Sequence, residues 1–104
     1  MSRADLLRQI LSPLLEDYRY WFGRAHRLLS QERLSFLTPE EQAAFLERVE
    51  AAQAELGAAE ALYNLSDQEV GVDPGLMAKW HHLLMECAEL GRRFHTLQFP
   101  SEQG

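Results

Sequence analysis

The sequence predicts an all-α protein, an antiparallel three-helix bundle of long helices with apolar surface to spare for a dimer. Three observations carry this reading. Apolar residues recur at steps of three and four along most of the chain, and no segment sustains the alternation of a strand. Two helix-start signals, Thr38-Pro39 and Asp73-Pro74, divide the chain into three such segments. At 104 residues there is room for one domain and one core, and 46% hydrophobic with 25% charged residues is an ordinary globular balance.

The first segment, about 3–31, carries Leu6, Leu7, Ile10, Leu11, Leu14, Leu15, Tyr18, Trp21, Phe22, Ala25, Leu28 and Leu29 on one wide stripe. Pro13 interrupts it. Proline offers no N–H to the carbonyl of Gln9, so the helix either kinks at Pro13 or restarts there with Ser12 as N-cap. The stripe keeps its phase across Pro13, which favours one kinked or restarted rod over two unrelated helices.

After a connector, 32–37, Thr38-Pro39-Glu40-Glu41 reads as a capping box with proline in the first helical position. The second helix is expected over 39–63, with Phe45, Leu46, Val49, Ala52, Leu56, Ala59, Leu62 and Tyr63 inward. Gly57 costs it about 1 kcal/mol relative to alanine. With the neighbouring alanines it makes a small-residue face open to close helix approach.

Residues 64–73 read as a loop, and Asp73-Pro74 opens a third helix expected over 74–97. Its main stripe is Met77, Trp80, Leu84, Cys87, Ala88, Gly91 and Phe94. A second row, Leu76, Leu83, Leu90 and Leu97, recurs every seven residues. A helix apolar over so much of its girth is either central in the bundle or shared with another chain, and the leucine row is the expected surface of a homodimer. Residues 98–104 read as a flexible tail.

Composition excludes several functions. A net charge of −6 leaves no basic face for nucleic acid or for an anionic membrane. No window is long and apolar enough to insert in a membrane, and no signal-peptide pattern opens the chain, so a cytoplasmic protein is expected. The one cysteine, Cys87, precludes an internal disulfide.

No motif carries chemistry. His82 and Glu86 stand four residues apart with His81 beside them, too few ligands for a zinc site. Cys87 lies on the apolar stripe without a basic neighbour to activate it. Glu16 and Asp17 point about 100° apart and cannot converge on one substrate. Gly71 and Gly75 belong to a plain turn, not a phosphate loop. Neither a catalytic residue nor a metal nor a cofactor is expected, and the chain reads as a non-enzyme. Trp21 and Trp80 are expected in the core, whereas Tyr20 is expected at the surface, where an aromatic beside arginines suits a protein partner.

Charge is segregated along the chain. Residues 1–33 carry net +2 and residues 34–73 carry net −8. Antiparallel packing of the first two helices is therefore favourable and leaves an acidic outer face, with Glu40, Glu47, Glu50 and Glu55 as candidates to steer a partner. The leading expectation is a non-enzymatic protein–protein interaction module, with Tyr20, those four glutamates, Leu76, Leu83 and Leu90 as partner-binding residues. The alternative is a bundle that binds a small molecule or tetrapyrrole in a cavity lined by Trp21, Trp80, Cys87 and a histidine.

Pro13-Leu14-Leu15-Glu16-Asp17 with Tyr20-Trp21-Phe22, the run Phe36 to Gln42, and Gln68-Glu69-Val70-Gly71-Val72 with Trp80-His81 and Glu86-Cys87 form a recognisable set. On these motifs the chain, over about residues 6–97, resembles a family of short cyanobacterial proteins of unknown function. The resemblance implies a cyanobacterial setting, cytoplasmic or thylakoid-adjacent, and brings no reaction or catalytic residue with it.

Overall fold

Three local start signals set where the helices begin. A computed structural model describes residues 2–67 and 71–99, and in it helix α1 spans Arg3–Gln31, α2 Pro39–Leu65 and α3 Pro74–Gln98. Ser2 caps α1 in a reciprocal box with Asp5, and Thr38 does the same for α2 with Glu41. Asp73 accepts from the N–H of Leu76 at 2.9 Å to cap α3. Pro39 and Pro74 occupy first-turn positions, where a missing N–H costs nothing.

Pro13 does not restart α1. It lies inside one unbroken helix, and Ser12 caps nothing; its hydroxyl instead meets the Tyr63 hydroxyl at 3.0 Å across to α2. Burial of the stripe on both sides of Pro13 outweighs the one hydrogen bond that proline removes. Helix α2 runs on to Leu65, into the segment expected to be loop, before a turn at Ser66 and Asp67. The remainder of that expected loop at 68–70, and the expected tail from residue 100, lie outside the described residues.

Cross-helix pairs fix the topology. Ser12 meets Tyr63, Arg19 meets Glu60 and His26 meets Glu50, so α1 and α2 are antiparallel. Glu55 with Lys79 and Arg48 with Glu86 make α2 and α3 antiparallel. Helix α1 therefore runs alongside α3 in the same direction and serves as the spine against which the other two pack. That arrangement makes α1, not α3, the central helix: Leu11, Leu15, Tyr18, Phe22, Ala25 and Leu29 are all buried.

Trp80 is fully buried, with its ring 5.6 Å from that of Tyr18. Complete burial of a Val, Leu or Phe side chain contributes roughly 1.5–3 kcal/mol, so Phe22 and Val49, both at zero exposure, anchor the same core. Trp21, expected there too, is only half-buried, with the Arg24 guanidinium over its ring. The leucine row of α3 does not form an outer stripe. Leu83 and Leu90 are 6% and 3% exposed, buried within the one chain, in which α3 packs chiefly against α1. Leu76 is half-buried, and Leu97 alone of the row is exposed.

The α1–α2 connector is held by one buried polar side chain. Gln42 Oε1 accepts from the Leu34 N–H at 3.0 Å and from Arg33 at 2.8 Å. Its Nε2 donates to the carbonyls of Leu29 and Glu32 at 2.8 and 2.7 Å. All four hydrogen-bonding positions of the amide are thus used, two of them on carbonyls that the end of α1 leaves open.

Candidate functional site

The clasp at Gln42 has a consequence for the surface. By pinning Leu34 into the core it turns the following residues, Phe36 and Leu37, toward the seam between α2 and α3. There they join Phe45 of α2 and Leu90 of α3 to floor a groove of about 340 Å³. Met85 stands at its edge, 60% exposed. The Arg93 guanidinium lies 4.3 Å from the centre of the Phe36 ring and separates this groove from a smaller one bounded by Thr96 and Leu97.

The groove walls are charged and internally paired. Arg48 grips both oxygens of Glu86, at 2.9 and 2.5 Å, and these hydrogen bonds hold the Glu86 carboxyl below its ordinary value. Arg92 does the same for Glu89. The groove thus has an apolar floor between charged walls. Its acids, Glu86 and Glu89, are held ionised by their arginine partners.

The residues expected to bind a partner do not gather here. Tyr20 is 54% exposed, edge-on to Trp21, and borders none of the five main cavities. Glu40 and Glu47 are exposed on one side of α2, but Glu50 turns to His26 on α1 and Glu55 to Lys79 on α3. The four glutamates thus do not share a face. Of the leucine row, Leu90 alone lines the groove, from its floor; Leu83 faces a neighbouring cavity, and Leu76 borders neither.

Sequence reasoning missed Phe36, Leu37, Met85 and Arg93. An apolar pair in a short connector, immediately before a capping box, was a readable signal for the first two. Met85 lies off both stripes of α3 and carried none.

The cavity expected for a pigment is not among these five. Trp80 borders one of them, between α2 and α3, and none is lined by Trp21, Cys87 or a histidine. Burial pushes the Cys87 thiol up to about 12. Among the described residues, no three of His, Cys, Asp and Glu are grouped to hold a metal ion, and no helix is long and apolar enough to cross a membrane.

Fold and groove together define a class: a small three-helix protein with an open apolar seam between its second and third helices. The chain belongs to the family described as Protein of unknown function (DUF2605), which it matches over residues 1–96. No curated protein and no solved structure matches it.

Proposed function

We propose that this protein is a non-enzymatic interaction module that receives an amphipathic helix of another protein in the α2–α3 groove. The observation that carries the reading is the apolar floor of Phe36, Leu37, Phe45 and Leu90, with exposed Met85 at its edge. Helices dock into such grooves through apolar residues at three- and four-residue spacing, and methionine adapts to their shape. Charge supports a basic partner. Residues 34–73 carry nine acids against Arg48 alone; Glu50, Glu55 and Glu60 turn to partners on α1 and α3, and exposed Glu40 and Glu47 are left on α2 to attract basic residues flanking an apolar ridge.

An adaptor, an assembly factor or a small regulator would use the groove in the same way. The cyanobacterial setting implied by the family resemblance, with a cytoplasmic or thylakoid-adjacent location, forms part of the proposal.

The test compares wild type with Met85→Glu and Glu89→Lys. Both positions are exposed, so both variants keep the fold. A partner whose cross-links map to residues 36–45 and 85–93 should be retained by wild type and lost from both variants. A partner retained equally by all three overturns the reading.

A further inference from the structure

Between the C-terminal parts of α1 and α3 lies a cleft of about 210 Å³ that shares no residue with the docking groove. Leu28 and Phe94, both half-buried, give it an apolar lining, and Gly91 leaves room over the α3 backbone. Arg24 is held at its wall. The Arg24 guanidinium stands 5.6 Å from the centre of the Trp21 ring, and its Cζ and Nη2 lie 3.7 Å from where a Cβ on Gly91 would be. Arg27, one turn further on, forms an exposed rim, its guanidinium lying back toward Gly23.

Neither arginine has an ion-pair partner or a hydrogen-bond acceptor among the described residues, although 16 acids outnumber 10 basic residues in the chain. Arg8, Arg19, Arg48 and Arg92 each hold a carboxylate. Glu32 borders the same cleft and yet stands beyond ion-pair distance of both Arg24 and Arg27. The helix dipole does not account for them either, since it favours cations in the last turn of α1 and that turn holds none.

We infer that this cleft is a binding site for a small monocarboxylate with an apolar body, such as one ring on a short chain. The carboxylate pairs with Arg24, whose planar guanidinium matches two carboxylate oxygens, and Arg27 swings in from the rim to add a second positive charge. The apolar body lies against Leu28 and Phe94. Glu32 limits the charge: it opposes a dianion such as phosphate, while a cation meets both arginines. Volume limits the size, because the cleft falls short of the roughly 300–1,000 Å³ that a drug-sized ligand fills. The site is separate from the docking groove, and its test needs no protein partner.

The chain has two tryptophans, so its ¹⁵N spectrum carries two indole signals, assigned with Trp21→Phe. Titration with 3-phenylpropionate should shift the signal of Trp21, beside Arg24, saturably and leave that of buried Trp80 unmoved. Its amide, 3-phenylpropionamide, has the same shape without the charge and should bind roughly tenfold more weakly. Arg24→Met should bring the acid down to the affinity of the amide, whereas Glu32→Gln should tighten the acid alone. Arg3→Gln removes an arginine about 30 Å away along α1 and should change nothing. All three positions are exposed, so the helical circular dichroism should persist in each variant. Equal affinity for acid and amide overturns the inference. So does acid binding that survives Arg24→Met, an equal loss in Arg3→Gln, or the absence of a saturable shift at Trp21.

Discussion

Gln42, on α2, donates from its side-chain nitrogen to the carbonyl oxygen of Leu29, on α1, at 2.8 Å, and so ties the start of one helix to the end of the other. Its remaining bonds seat the connector: the Leu34 N–H it accepts is buried, as is Leu34 itself. Replacement by leucine keeps the bulk and removes every bond, leaving the Leu34 N–H and the Leu29 carbonyl without partners. Each buried orphan costs about 1–3 kcal/mol. Gln42→Leu should therefore lose about 2–4 kcal/mol in urea unfolding with the slope unchanged.

Gly57 offers the opposite case. It is exposed within α2, and a Cβ placed there meets nothing within 4 Å. Gly57→Ala should raise stability by about 0.8–1 kcal/mol, the helix-propensity difference alone. A loss instead would mean that this face is covered in solution.

The thiol of Cys87 is held neutral by burial, with its pKa pushed up to about 12 from an ordinary 9.0. A folded-state value raised above the unfolded one gives stability that is full below 9.0 and is lost as pH rises toward 12. Iodoacetamide at pH near 8 should leave the folded chain unmodified and label it fully in denaturant. Alkaline unfolding should be weaker in Cys87→Ser after correction for its lower starting stability.

The Arg48–Glu86 clasp fixes a second pH window. Arginine lowers the Glu86 carboxyl below its ordinary 4.5, so the pair stabilises the fold above that value and its contribution disappears as pH falls below it. The pair is largely exposed, which limits the effect to about 0.2–1 kcal/mol. A double-mutant cycle with Arg48→Met and Glu86→Gln should give coupling of that size at pH 7 and a smaller one as pH is lowered below 4.5.

Much of the fold was legible because its signals are local. Thr38-Pro39 and Asp73-Pro74 announce two helices within four residues each, and the stripe from Leu11 to Leu29 declares the buried face of α1. What decides the surface is not local. The leucine row of α3 reads the same whether a second chain or the rest of its own bundle covers it, and folding within one chain hides Leu83 and Leu90. The four glutamates looked alike by charge, yet helical rotation sends Glu50 and Glu55 to opposite neighbours. Gln42 stands at the fourth helical position, where an apolar staple residue is common, and nothing in its chemistry says that it is buried. Phe36 and Leu37 acquire a role only once Gln42 has fixed the connector.

The groove as a docking surface is tested most directly by a photo-crosslinking residue placed at Met85 in the native cell, with a second at Ala58 on the outer side of α2 as control. Mass spectrometry should find one recurrent product from position 85, absent from position 58, joined to an apolar helical ridge flanked by basic residues. Products shared by both positions, or none from position 85, contradict the account.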